Sequence, residues 1–99
     1  MYFKALVEKS PSYAGWHYVS VPDSTLQDLR KQAAKNGNVP VVIRAKAVVW
    51  RTTIMSRGNQ QWYAAIKAEV REQLGIKEGD MLDIEIEPDM EKLTKKKVV

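Results

Sequence analysis

The sequence contains no cysteine. Disulfides and thiolate metal sites are therefore excluded, and a secreted fold that depends on covalent staples is not expected. There is one histidine, so a metal site built mainly of imidazoles cannot form within one copy of the chain. No segment approaches the ~20 consecutive apolar residues of a membrane-spanning helix. The N-terminal run Met1-Tyr2-Phe3-Lys4-Ala5-Leu6-Val7-Glu8 is broken by charge where a signal peptide would be continuous. The expectation is a cytoplasmic chain with no membrane partner. Acid is missing over one long interval. Between Arg30 and Lys67, inclusive, stand eight basic residues and neither Asp nor Glu, whereas the residues before sum to −1 and those after to −3, giving +4 overall. Such asymmetry can serve an anionic partner. In a small barrel, however, strands from both ends interleave, and a mixed solvated surface is the plainer reading.

What is present is mainly β-forming. Residues 2–8 alternate as a strand, residues 10–15 read as a loop, and residues 16–21 are rich in aromatic and β-branched side chains before Pro22 ends the run. Asp23 or Ser24 can cap a following helix, with Ser24 and Gln27 at capping-box spacing. Leu26, Leu29 and Ala33 give that helix an apolar face, and Asn36-Gly37 supplies a left-handed stop. Residues 39–55 are too long for one ordinary strand, so a bend is expected near residues 45–47. Arg57-Gly58-Asn59-Gln60 reads as a hairpin turn and residues 61–66 as the next strand. A short helix over residues 68–74, with Val70 and Leu74 four apart, stops at Gly75. Lys77-Glu78-Gly79-Asp80 forms a tight turn. In the strand that follows, Leu82, Ile84 and Ile86 face inward and Asp83, Glu85 and Glu87 outward, up to Pro88. Residues 1–88 are thus read as one β-barrel domain and residues 89–99 as a basic tail, frayed or helical. The whole gives six strands and two short helices. Two similar units are visible: each opens a strand on tryptophan (Trp16, Trp62), continues into a short helix with a glycine stop (Gly37, Gly75), and ends in a β-branched strand.

The run Leu74-Gly75-Ile76-Lys77-Glu78-Gly79-Asp80-Met81-Leu82-Asp83-Ile84 resembles the GD-box turn of small barrels that include the AbrB and MazE transcription factors. Nearly the whole chain resembles a prokaryotic family known as domain of unknown function 1905. The matching pieces are Trp16-His17-Tyr18-Val19-Ser20-Val21-Pro22, Val39-Pro40-Val41-Val42-Ile43, Trp50-Arg51-Thr52-Thr53-Ile54-Met55 and Val70-Arg71-Glu72-Gln73-Leu74-Gly75, together with the GD-box and Glu87-Pro88-Asp89. The resemblance implies a closed six-stranded double-split β-barrel with a pseudo-twofold internal repeat. It brings no assigned activity, so no catalytic residue is carried over.

The candidate site is a set of aromatic and basic residues: Trp16, His17, Trp50, Arg51, Arg57, Trp62 and Arg71. Tryptophan lines cores and pockets alike because it is bulky, apolar and keeps one donor. If the two strand-opening tryptophans flank a shallow pocket, Arg51, Arg57 and Arg71 can supply anion contacts. The leading expectation is a monomeric, non-enzymatic module that binds a small anionic ligand or a protein partner, with no cofactor and no metal. An alternative is nucleic-acid binding through the basic central segment. A second alternative is an enzyme that uses His17 with a carboxylate such as Asp23 or Asp80. The acidic residues of the last strand alternate as a half-buried strand requires, and do not call for a cation site.

Overall fold

Strict alternation over Met81–Pro88 produces the strand on which the rest is assembled: Leu82, Ile84 and Ile86 are buried, while Met81, Asp83 and Glu87 are exposed and Glu85 is half-buried. The same period-2 pattern buries Val39, Val41, Ile43 and Ala45 on a second strand, because successive Cβ atoms point to opposite faces. The computed structural model describes residues 1–10, 16–34, 38–58 and 61–95. In chain order the elements are β1 (Tyr2–Leu6), β2 (Glu8–Lys9), β3 (His17–Ser20), α1 (Asp23–Ala33), β4 (Val39–Ala45), β5 (Val48–Gly58), β6 (Gln61–Ile66), α2 (Ala68–Leu74), β7 (Met81–Pro88) and α3 (Met90–Lys95).

The strands form one antiparallel sheet in the order β1-β7-β4-β5-β6-β3-β2. Among the described residues there are seven strands rather than the six expected, and the difference lies at Val7. The N-terminal strand pairs with β7 up to Leu6 and with β3 from Glu8 onward, so one chain segment contributes to both ends of the sheet and nearly closes it into a barrel. The turn before β7 holds this junction. Val7 N–H donates to the Asp80 carbonyl at 2.8 Å, and Gly79 N–H donates to the Val7 carbonyl at 2.8 Å. Asp80 Oδ2 in turn accepts from Lys77 N–H at 2.9 Å. Gly79 has φ +94°, a conformation that side-chain-bearing residues rarely adopt.

The long β stretch bends where expected, with Lys46-Ala47 as the turn between β4 and β5 and Lys46 at φ +53°. The corresponding strands of the two similar units pair with each other, β3 with β6 and β4 with β7. Leu26 and Leu29 of α1 are fully buried, and α1 packs on β4, β6 and β7. Each such buried side chain stabilises the fold by about 1.5–3 kcal/mol relative to exposure.

Several expectations need correction. Pro22 occupies the N-cap of α1 and no side chain caps it. Asp23 and Ser24 therefore lie inside the helix and the capping box does not form: Pro22, at φ −60° and ψ 146°, holds the extended N-cap position that either would have needed. α1 ends at Ala34, in the left-handed region at φ +51°. Among the described residues there are three helices rather than two, because Met90–Lys95 is helical. Trp16 precedes its strand instead of opening it. Residues 11–15 of the loop expected over 10–15, the Asn36-Gly37 stop, Asn59-Gln60 of the hairpin turn, the side chain of Arg57 and the last four residues of the tail lie outside the described residues. Among the described residues no helix is long and apolar enough to cross a membrane.

Candidate functional site

One face of β5 and β6, the start of β3 and the first turn of α2 enclose an open cleft of about 580 Å³, within the usual range for small-molecule sites. Its walls carry Trp16 and His17 at the start of β3, Arg51 to Thr53 and Met55 from β5, and Tyr63, Ala65 and Ile66 from β6, with Lys67, Ala68 and Arg71 at the β6–α2 junction. Of the seven residues expected to form a site, the fold brings Trp16, His17, Arg51 and Arg71 together here.

Trp50 and Trp62 point elsewhere. Trp50 is buried in the core, its indole Nε1 donating to the Ala65 carbonyl at 3.4 Å. Trp62 shares its side of β6 with the buried Ala64 and Ile66, and packs against the core beneath the Arg30 guanidinium, 4.6 Å from the ring centroid. The alternation of β6 thus puts Trp62 on one face and Tyr63 on the other, so Trp16 and Trp62 cannot flank one pocket as equivalents. The aromatic wall of the cleft is instead Trp16, 47% exposed, with Tyr63. The Tyr63 ring is braced edge-on by Tyr18, with centroids 5.7 Å apart and planes at 69°.

Charge in the cleft is of one sign. Its described lining includes Arg51, Lys67 and Arg71, and no Asp or Glu. These cations are not equivalent. Arg51 Nη1 donates to Asp89 Oδ1 at 2.8 Å and Nη2 to Glu91 Oε2 at 3.1 Å. The Asp89 carboxylate, through its charge and its hydrogen bond, and then Glu91 hold the Arg51 guanidinium above the usual arginine range. Arg51 is therefore neutralised at the rim. Lys67 is exposed, whereas Arg71 is partly buried in the wall. Arg71 Nη1 approaches His17 Nε2 at 3.5 Å, and its Nε–H is buried with no hydrogen-bond partner among the described residues. An unsatisfied buried donor costs about 1–3 kcal/mol.

The rest of the basic interval is engaged elsewhere. Arg44 pairs with Glu85 at 2.8 Å, and Lys46 Nζ donates to the Leu74 carbonyl at 3.2 Å, at the end of α2. Basic residues of the middle of the chain thus meet acids of its end, and Arg44 and Arg51 do not form an uncompensated basic face. Among the described residues no group of three or more metal-ligating side chains gathers. Sequence reasoning did not single out Lys67 as a site residue; its place at a strand–helix junction was the available signal. The pairing of Arg51 with Asp89, 38 residues away, has no local signal.

The model of a family described as a domain of unknown function (DUF1905) matches residues 3–86, and the chain belongs to that family. No curated protein matches it.

Proposed function

We propose that this member of the DUF1905 family is a non-enzymatic binding module whose cleft receives a small anion. The observation that carries the reading is the charge of the cleft, whose described lining holds Arg51, Lys67 and Arg71 and no carboxylate. Nucleic-acid binding is the less favoured reading, because Arg44 and Arg51 already hold carboxylates. The clamp of Val7 by Gly79 and Asp80 and the pairing of like strands support reading the fold as a double-split barrel with a GD-box.

The test is a two-dimensional amide NMR titration of the full chain with a panel of small carboxylates and phosphates. Shifts should cluster on Trp16, His17, Ala65 and Arg71, with the Trp16 indole N–H among them. If no anion in the panel moves these signals at millimolar concentration, the proposal fails.

A further inference from the structure

We propose that α3 is an autoinhibitory strap on the cleft: a bound anion and the chain's own carboxylates at Asp89 and Glu91 compete for the Arg51 guanidinium. This rests on the reading of the cleft as an anion site and adds its regulation. Arg51 belongs to two places at once. It lines the cleft, and with Asp89, Glu91 and Lys92 it lines a second hollow formed at the start of α3. Its one positive charge is divided between two carboxylates, Asp89 on Nη1 at 2.8 Å and Glu91 on Nη2 at 3.1 Å. Of the three cations in the described lining of the cleft, Arg51 is thus already occupied by an internal anion.

The two halves of this contact differ in strength. Asp89 is 4% exposed and is held in two further ways: its carboxylate accepts from Lys92 N–H at 3.1 Å, and its own N–H donates to the Pro40 carbonyl at 2.9 Å. Glu91 is 61% exposed, and an exposed ion pair is weak and screened by salt. The contact that yields to an incoming anion is therefore the one to Glu91, while Asp89 keeps the chain attached. α3 has only six residues, too few for a helix to persist without tertiary contacts, so losing Glu91 loosens it. An anion drawn into the cleft by Lys67 and Arg71 gains Arg51 at the expense of α3, and a docked α3 lowers the affinity of the cleft. The coupling is reciprocal by thermodynamic necessity.

The experiment titrates inorganic phosphate and, separately, acetate into the full chain at fixed pH and ionic strength, followed by amide NMR. The cleft signals of Ala65 and Arg71 and the α3 signals of Lys92 and Leu93 should shift with one shared midpoint. Glu91→Gln removes the exposed competitor and should lower that midpoint about two- to fivefold. Asp83→Asn makes the same change in net charge at the Lys4 pair between β1 and β7, and should leave the midpoint unchanged. In Arg51→Gln the cleft signals should still shift, at higher anion concentration, and α3 should no longer follow. A dispersed amide spectrum establishes that each variant is folded. Cleft shifts with α3 unmoved overturn the inference and leave the anion site standing. An equal gain in Glu91→Gln and Asp83→Asn does the same, as do α3 shifts that persist in Arg51→Gln. Absence of cleft shifts with both anions overturns the inference together with the anion-site reading beneath it.

Discussion

Arg71 Nη1 lies 3.5 Å from His17 Nε2. With a guanidinium as donor, that contact makes Nε2 the accepting nitrogen of the imidazole. The two residues are 54 positions apart in the chain, and they meet because β3 pairs with β6, His17 opposite Ile66, just before the chain enters α2. The contact engages Nη1, while the buried Nε–H has no partner among the described residues, which makes Arg71 a residue held at a stability cost.

Arg71→Met therefore separates binding from stability. Replacing the guanidinium by an apolar chain of similar length removes the unsatisfied buried donor, so the urea midpoint should stay the same or rise, with a gain of up to about 1–2 kcal/mol. The NMR response to carboxylates should disappear in the same variant. A loss of more than about 2 kcal/mol would assign Arg71 to the scaffold instead.

Asp89 ties α3 to the barrel. Its buried carboxylate accepts from Arg51 at 2.8 Å and from Lys92 N–H at 3.1 Å, while its own N–H donates to the Pro40 carbonyl at 2.9 Å. Asp89→Ala removes the cap and the ion pair together and should lower stability by about 1–2 kcal/mol. Asp89→Asn keeps a capping oxygen and should lose less. Chemical denaturation of the two variants side by side checks the order.

The pH dependence should carry a signature from Glu85. Tyr2 OH donates to Glu85 Oε2 at 2.6 Å and Arg44 to Glu85 Oε1 at 2.8 Å. These two hydrogen bonds, that from Tyr2 first, hold the Glu85 carboxyl below its ordinary value, and the bond to Glu85 holds the Tyr2 hydroxyl above its own. The folded state binds the ionised carboxylate preferentially. Its contribution is complete above the ordinary glutamate value and is lost as pH falls through the lowered one. The Tyr2 contribution has the opposite sign: it is complete below the ordinary tyrosine value and is lost as pH rises through the raised one. Glu85→Gln and Tyr2→Phe should each shrink both the acid and the alkaline slope of stability against pH, since each group's shift is caused first by the other. Denaturant midpoints measured from acid to alkaline pH test this; unchanged slopes would count against the network.

Two left-handed positions should respond oppositely to a single methyl group. Ala34 closes α1 at φ +51°, where glycine is better suited, so Ala34→Gly should raise stability by about 0.5–1 kcal/mol. Gly79 stands at φ +94° in the turn that clamps Val7, and Gly79→Ala should lower stability by about 1 kcal/mol or more. Added space does not help, since no atom lies within 4 Å of the new Cβ. The strain lies in the backbone. Thermal or urea melts of both variants decide it.

Much of the architecture was legible because its signals are local. The alternation of Leu82, Ile84 and Ile86, the Val70–Leu74 spacing, the stop at Gly75 and the break near Lys46 each follow from a side-chain period or a backbone preference within a few residues. The candidate site was legible in part: residue type marked Trp16, His17, Arg51 and Arg71, but could not separate them from Trp50 and Trp62, which share the same chemistry and face the core. The sequence shows one strand here because residues 2–8 alternate without a break, and only its neighbours divide the segment at Val7 into β1 and β2.

Local pattern fixes most of the elements, the inward face of β4 and β7 and the turn that precedes β7. The tertiary fold decides that Arg51 is neutralised by Asp89 and Glu91 while Arg71 keeps a buried donor with no partner among the described residues, and that the N-terminal segment serves both ends of the sheet. The physical reason is range. Period and propensity act over a few residues, whereas the partner of a charge depends on strand register and on elements joined across tens of residues, which no local pattern encodes.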